Sequence, residues 1–146
     1  MSPASRSNVE VAESDAQIAS CFCVMRELRP HIVEATFVPT IREQQKSGYV
    51  LAYLREDDRT LSVAGFRLIE NLVSGRMLYV DDLVTLDGNR SEGYGKVMFE
   101  WLVQRARDEG CGYLELDSGV QRFQAHRFYL TNRMVISAHH FRLKLF

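Results

Sequence analysis

The sequence predicts a mixed α/β fold, in which a twisted mixed sheet of about six or seven strands is flanked by about four helices. Short apolar segments of strand type alternate with stretches whose apolar residues recur at helical spacing. Their order combines a β-hairpin with a β-α-β crossover, and no internal repeat interrupts it. The 146 residues are 46% hydrophobic and 25% charged, which is typical of a single globular domain.

The first half of the chain predicts a strand, two helices and a hairpin. Residues 1–8 are polar and Ser-rich, so we expect a disordered segment there and a single domain over residues 9–146. Ser14 is a suitable cap for the first helix, and Pro30 marks its end. The expected elements are a strand at 9–11, helices at 14–29 and 32–46, and paired strands at 49–54 and 61–69.

The second half predicts a β-α-β unit, a further helix and a closing pair of strands. The expected strands are 77–86, 113–116, 134–136 and 140–146, and the expected helices are 97–109 and 121–130. The strand at 77–86 is unusual because Asp81 and Asp82 interrupt its apolar centre. Strand alternation places Tyr79 and Asp81 on one face and Asp82 on the other, unless a β-bulge intervenes.

Charge and cysteine usage exclude several classes of function. Eighteen Lys and Arg residues balance nineteen Asp and Glu residues, so no basic field is present to bind nucleic acid. No apolar run is long enough for a membrane span, and we expect no membrane partner. Cys21, Cys23 and Cys111 match no metal-binding spacing and are typical of free thiols in a reducing compartment. We therefore expect a cytoplasmic protein without a bound metal.

A glycine-rich segment lies between the strand at 77–86 and the following helix. Glycines let a backbone wrap closely around a phosphate, and the N-terminus of the helix adds a partial positive charge. A ligand-free tight turn is the alternative explanation of this pattern. The candidate phosphate-binding residues are Arg90, Ser91, Glu92, Gly93, Tyr94, Gly95 and Lys96.

Two motifs in the correct order resemble those of the GCN5-related N-acetyltransferases, the GNAT family. Arg90 to Gly95 is similar to the family signature [RQ]-x-x-G-x-[GA], which binds the pyrophosphate of acetyl-CoA. Ala125 to Tyr129 is similar to the A-x-x-x-Y motif of a later helix. Residues 78–83 also resemble diamine acetyltransferases, and residues 118–130 resemble aminoalkylphosphonate acetyltransferases. The resemblance implies an acetyltransferase that moves an acetyl group directly from acetyl-CoA, the co-substrate, to a primary amine of a small molecule.

The resemblance also implies roles for individual residues. Asp81 is the candidate general base, and Asp82 is the alternative. The two carboxylates could instead form structural salt bridges with arginines. Tyr129 corresponds to the general acid that protonates the leaving thiolate. Main-chain groups of the strand should bind the pantetheine arm, and the candidates are Leu83, Val84 and Thr85.

The chain departs from the family pattern at two positions. Arg122 stands where many members have Asn, which could rearrange the coenzyme contact. Arg133 stands where many have Gly, so we expect the exit of the last helix to differ locally. His139 and His140 could reach an acidic substrate group or a metal, or could simply be surface or core histidines.

Three questions stay open from the sequence. The acidic pair favours a cationic acceptor, whereas the resemblance of residues 118–130 favours an aminoalkylphosphonate-like one. The alternative functions are a protein Lys or N-terminal acetyltransferase and a non-catalytic acyl-CoA sensor. Homodimers are common in the family, and the terminal strand would offer an edge for one.

Overall fold

A computed structural model describes residues 9–86 and 93–146, and within these ranges it contains five strands and five helices. The strands are β1 (Val9–Val11), β2 (Val50–Glu56), β3 (Arg59–Asn71), β4 (Gly75–Thr85) and β5 (Tyr113–Leu116). The helices are α1 (Asp15–Ala19), α2 (Phe22–Leu28), α3 (Glu34–Gln45), α4 (Tyr94–Asp108) and α5 (Phe123–Thr131).

The chain divides into two compact units. The first ends at Glu115 and holds almost the whole sheet, and the second runs from Leu116 to Phe146 and holds α5. The expectation of one domain over residues 9–146 stays a prediction, and the expected disordered segment 1–8 lies outside the described residues.

The sheet has the order β1-β2-β3-β4-β5, so strands that follow one another in sequence are neighbours in space. The pairs β1-β2, β2-β3 and β3-β4 are antiparallel. The hairpin between β2 and β3 turns at Asp57, which adopts a left-handed φ of 55°. This confirms the hairpin predicted from the charged segment 55–59.

A buried core lies between one face of the sheet and helices α1 to α3. Ser14 and Gln17 form a capping box that starts α1, and the expected single helix is split into α1 and α2 at Ser20 and Cys21. The buried side chains of this cluster include Ile18, Val24, Met25, Phe37, Ile41, Leu51, Tyr53, Val63 and Val84. Burial of this apolar area is the main source of stability for the first unit.

Helix α4 covers β2, β3 and β4 and contributes Met98, Phe99 and Leu102 to the buried residues. The ring of Trp101 packs edge-on against Phe66 at 6.0 Å. Arg105 stacks over the same two rings. Phe99 is therefore buried and Trp101 partly buried in this layer.

The sequence prediction was wrong about the strand count. The segments 134–136 and 140–146 form no strand, so the described residues give five strands instead of six or seven. The apolar side chains of the segment are exposed, with Phe141, Leu143 and Leu145 all at least 80% accessible. A strand needs a neighbouring backbone to pair with, and alternation in the sequence does not supply one. The described residues also contain no helix that is long and apolar enough to cross a membrane.

Candidate active site

A β-bulge in β4 brings the two adjacent carboxylates to one face of the sheet. Gly65 pairs with Asp82 and the next residue of β3, Phe66, pairs with Val80, so Asp81 is the extra residue of the bulge. The extra residue resets the alternation, and Tyr79, Asp81 and Asp82 all line one cleft. The sequence placed Asp82 on the opposite face from Asp81 unless a β-bulge intervened, and the structure contains that bulge.

Two side chains from different elements bind Asp82. The Tyr49 hydroxyl donates to Asp82 Oδ2 at 2.8 Å, and Arg29 Nε donates to Asp82 Oδ1 at 2.9 Å. Arg29 follows the last residue of α2, and Tyr49 directly precedes β2. Burial, and then the negative charge of Asp82, raise the pKa of Tyr49 far above its ordinary value. The phenol therefore stays protonated and donates to Asp82. Hydrogen bonds to both carboxylate oxygens hold Asp82 in place.

Asp81 is bound on one oxygen only. Arg67 Nε donates to Asp81 Oδ2 at 3.0 Å, and Arg67 Nη2 donates to Gln44 Oε1 at 2.9 Å. The other carboxylate oxygen, Asp81 Oδ1, is buried and has no hydrogen-bond partner among the described residues. Burial raises the pKa of Asp81 above its ordinary value, although the charge of Arg67 opposes the shift. A partly buried carboxylate with a raised pKa and an unused acceptor is suited to accept a proton.

The cleft that holds these groups has a volume of about 550 Å³. Its walls come from α2, the segment that follows it, α3, and the strands β3 and β4. Its apolar lining includes Met25, Ile32, Val33, Phe37 and Ile41, and its polar lining includes His31, Thr36 and Thr40. An apolar cleft of this size with a few convergent polar groups is typical of a small-molecule site.

The described part of the candidate phosphate-binding segment lies at the start of α4. Gly93 is the N-cap of α4 and has φ of +85°, a left-handed conformation that favours glycine, and as a glycine it supplies no side-chain cap. The first-turn N–H groups of a helix have no partner within the helix, so they suit an anion. Lys96 is exposed and lies 3.8 Å from Glu100. Arg90, Ser91 and Glu92 lie outside the described residues.

Tyr94 follows Gly93 as the first residue of α4. Its side chain is buried, and its hydroxyl donates to Glu56 Oε2 at 3.2 Å. The Tyr94 ring is therefore part of the packed interior. On β4, Leu83, Val84 and Thr85 pair with Ala64, Val63 and Ser62 of β3.

The short strand β5 flanks only the first part of β4. The N–H of Gly112, just before β5, donates to the carbonyl of Arg76 at 2.9 Å, and β5 is four residues long. Leu83 therefore lies beyond the reach of β5 along the strand.

Comparisons with known proteins identify the family. Residues 17–132 match the Acetyltransferase (GNAT) family. The chain is 34% identical over 122 residues to the uncharacterized N-acetyltransferase YhdJ of Bacillus subtilis (strain 168), an alignment that covers 83% of this chain and 85% of that protein. The chain belongs to the GNAT family. It is an N-acetyltransferase, as the motifs at 90–95 and 125–129 indicated.

Solved structures of low sequence identity share the fold. A transcriptional regulator from Bacillus halodurans C-125 is 17% identical and superposes with a TM-score of 0.81, covering 94% of this chain and 99% of that one. The aminoglycoside N-acetyltransferase AAC(6')-Iy, in complex with CoA, is 10% identical and has a TM-score of 0.81 over 93% of each chain. These similarities confirm the mixed α/β fold expected for a GNAT enzyme.

The second unit of this GNAT protein carries Tyr129 on α5. Burial raises the pKa of the Tyr129 phenol, while Arg122 lowers it through its charge and a side-chain hydrogen bond. The phenol is therefore protonated at neutral pH. Arg122, one of the two departures from the family pattern, thus acts directly on the candidate acid.

The other departure, Arg133, does not change the helix exit as the sequence analysis expected. Arg133 has φ of +71°, the conformation that a glycine would adopt there. Its N–H donates to the Leu130 carbonyl at 3.1 Å, and the Met134 N–H donates to the Tyr129 carbonyl at 3.0 Å. These two bonds form a Schellman motif, which is the usual way for a helix to end at glycine.

His126 and His140 have contacts within the second unit, and Cys21 is buried. His140 Nδ1 lies 3.0 Å from Asp117 Oδ2, and both side chains are exposed. His126 Nε2 lies 2.7 Å from the Gly119 carbonyl. Among the described residues, no cluster of His, Cys, Asp or Glu could hold a metal ion. Burial raises the pKa of Cys21 to about 12, so this thiol is inert.

Sequence reasoning missed the residues that hold the acidic pair of this acetyltransferase. Arg29, Gln44, Tyr49 and Arg67 belong to no motif, and Arg29 is 53 positions from Asp82. The only available signal was compositional, because fifteen of the eighteen cationic residues are arginines. That excess favours bidentate contacts with carboxylates but does not say which arginine makes them.

Proposed function

We propose that this GNAT enzyme transfers the acetyl group of acetyl-CoA to the primary amine of a small molecule. The observation that carries the proposal is the bulge at Asp81, which places a partly buried carboxylate with an unpaired oxygen and a raised pKa in the lining of a cleft. An alkylammonium has a pKa of about 10.4 and must lose a proton before its nitrogen can attack a thioester. Asp81, directly or through a water, is the acceptor of that proton.

Acetyl-CoA fits the described part of the loop. Gly93 has the left-handed conformation that lets the backbone approach a pyrophosphate, and the first turn of α4 offers its N–H groups. We propose that Gly93, Tyr94, Gly95 and Lys96 bind the pyrophosphate through these groups, together with Arg90, Ser91 and Glu92 of the same motif. Leu83, Val84 and Thr85 on β4 are proposed to bind the pantetheine arm as an added strand would.

The proposed reaction needs one base and one acid. Asp81 takes a proton from the ammonium, the nitrogen forms a bond to the acetyl carbon, and the carbon–sulfur bond breaks. Tyr129 donates its phenolic proton to the departing thiolate, and solvent reprotonates it. Asp82 is held by Tyr49 and Arg29 on both oxygens, which favours a positioning role for it and the base role for Asp81.

The cleft supports a small acceptor. Its volume is about 550 Å³, and its apolar walls from α2 and α3 enclose the acidic pair. Volumes of this order hold molecules of metabolite or drug size.

A thiol-release assay tests the proposal. The protein is incubated with acetyl-CoA and a panel of small amines, and free CoA thiol is measured. We expect thiol release with at least one amine. Asp81→Asn should reduce kcat by about 10²- to 10⁴-fold with little change in acetyl-CoA affinity. Asp108→Asn, on the last turn of α4, is the control and should leave kcat unchanged. Absence of thiol release with every amine, despite calorimetric binding of acetyl-CoA, would contradict the proposal.

We also propose that the protein forms a homodimer through its C-terminal segment. Residues 140–146 alternate apolar and polar side chains, and Phe141, Leu143 and Leu145 are exposed. Such a segment is suited to add as a strand to a second copy. Phe141→Asp with Leu143→Asp should then give a smaller mass by light scattering, whereas Lys144→Ser, on the alternate face, should not.

A reducing, cytoplasmic location is proposed from the cysteines. Cys21, Cys23 and Cys111 are all free thiols. Cell fractionation of the tagged protein tests this location.

A further inference from the structure

The two ion pairs of the cleft are arranged so that the acids are more buried than the arginines. The side chains of Asp81 and Asp82 are 20% and 15% exposed, whereas those of Arg67 and Arg29 are 32% and 42% exposed. The guanidinium groups are therefore more accessible to solvent than the carboxylates are. This difference is not expected for a site that attracts a polycation.

The charges of the cleft lining also balance. Arg29 and Arg67 contribute two positive charges, and Asp81 and Asp82 contribute two negative ones. Each carboxylate lies within 3.0 Å of a guanidinium nitrogen. His31 is the one histidine among the described residues that line the cleft. The acidic pair is thus neutralised in place, and no net negative potential is left to select a second ammonium group.

The exposed arginine has donors to spare. A guanidinium has five N–H donors. Arg29 uses Nε for Asp82 Oδ1 and Nη2 for the main-chain carbonyl of Asp81, both at 2.9 Å. Among residues 9–86 and 93–146, no acceptor binds its Nη1. Arg67 likewise uses Nε and Nη2, so the two guanidinium groups have the same number of committed nitrogens, but Arg67 is the less exposed of the two. Arg29 is therefore the group best placed to receive an anion.

We propose that the acceptor amine carries an acidic group, a carboxylate or a phosphonate, that binds Arg29 while its ammonium approaches Asp81. The inference rests on the proposed function, because it names the substrate class of the same cleft. The N–H groups of Arg29 Nη1 can donate charge-assisted hydrogen bonds to carboxylate or phosphonate oxygens. The substrate, with one positive and one negative end, then matches a lining that presents both signs.

Four amines of matched length test the inference. β-Alanine and aminoethylphosphonate carry the two kinds of acid, propylamine is neutral at that end, and propanediamine carries a second ammonium. Homologues one and two methylenes longer complete the panel. We expect kcat/KM for at least one acidic amine to exceed that of its neutral and cationic counterparts about tenfold or more, since charge-assisted hydrogen bonds have this strength. The acidic amine with the higher kcat/KM shows whether the acceptor carries a carboxylate or a phosphonate.

Variants of Arg29 separate recognition from positioning. Arg29→Gln should raise KM for the acidic amines about tenfold or more and change KM for propylamine much less. Arg29→Lys should restore part of the loss, which also controls for folding. Arg26→Gln, at an exposed arginine of α2, should have no effect. An equal loss for all amines would assign Arg29 to positioning of Asp82 only and overturn the inference.

The outcomes are distinct from a failure of the proposed function. Preference for propylamine or propanediamine overturns the acidic acceptor but leaves acetyl transfer intact. Absence of thiol release with every amine of the panel overturns the proposed function, and the inference with it.

Discussion

The hydroxyl of Tyr49 occupies the space that a side chain at Gly65 would need. A Cβ placed on Gly65 would overlap the phenol oxygen and ring of Tyr49. Gly65 is also the residue opposite Asp82 at the bulge of β4. The missing side chain thus opens the path along which Tyr49 reaches Asp82, at 2.8 Å. The orientation of the acidic pair therefore depends on Gly65 and Tyr49 together with the bulge.

The first prediction is that Gly65→Ala destabilises the protein. The methyl group has no free space, so Tyr49 or the strand must move, and we expect a loss of about 1–3 kcal/mol in the free energy of unfolding. Urea denaturation measures this loss. Gly112→Ala is the matched control, because a Cβ at Gly112 would meet no atom within 4 Å. Equal stabilities of the two variants would show that Tyr49 is not held as described.

The strands and helices of the first unit were predictable because their signals are local. The alternation of residues 49–54 and 61–69 and the charged segment between them predicted the hairpin of β2 and β3. The bulge at Asp81 was not predictable from one sequence, because it depends on the pairing of β4 with β3. The contacts of Arg29 and Arg67 with the acidic pair likewise depend on tertiary folding.

The terminal segment shows the opposite case. Residues 140–146 have the two-residue alternation of a strand, yet the structure has no strand there. The pattern reports which side chains would share a face, and pairing requires a second backbone. A segment can therefore have the alternation of a strand although no neighbouring strand is there to pair with it.

The second prediction concerns the pH dependence of the reaction. Burial raises the pKa of Asp81, and two neighbours modify it in opposite directions: Arg67 lowers it and Asp82 raises it. A base must be deprotonated, so kcat/KM should fall as pH falls through this pKa, at a pH above the usual Asp value of about 3.9.

Variants that remove a charged neighbour of Asp81 should shift the acidic limb of the pH profile in a direction that can be predicted. Arg67→Gln removes an influence that lowers the pKa, so the acidic limb should move to higher pH. Asp82→Asn removes one that raises it, so the limb should move to lower pH. Arg42→Gln, which breaks the exposed pair with Asp15, is the control and should not move it. Initial rates with one amine across the pH range measure these shifts. A common direction for the first two variants would rule out Asp81 as the titrating group.

The third prediction concerns Tyr129. Tyr129→Phe removes the phenolic proton, and we expect kcat to fall about 10²-fold or more while the Kd for acetyl-CoA stays nearly constant. Arg122→Gln removes a group that lowers the pKa of Tyr129, so the alkaline limb of the rate should move to higher pH. Tyr113→Phe, at an exposed tyrosine, is the control. Full activity of Tyr129→Phe would remove Tyr129 as the acid.

The last prediction uses two helices that end in the same way. In α4, Gly110 has φ of +74°, its N–H donates to the Arg107 carbonyl, and the Cys111 N–H donates to the Ala106 carbonyl. In α5, Arg133 holds the equivalent position at φ of +71°. The left-handed conformation costs a residue with a Cβ about 1–2 kcal/mol, and glycine avoids this cost.

Arg133→Gly should therefore stabilise the protein by about 1 kcal/mol, since part of the gain is offset by the greater freedom of glycine in the unfolded chain. For a chain of this length the rise in Tm is about 3 °C. Gly110→Arg, the reverse exchange in α4, should lower Tm by a similar amount, because its site is open and only the backbone conformation opposes the new side chain. Differential scanning calorimetry of both variants measures the two shifts. A lower Tm for Arg133→Gly would mean that the Arg133 side chain contributes more to stability than its backbone conformation costs.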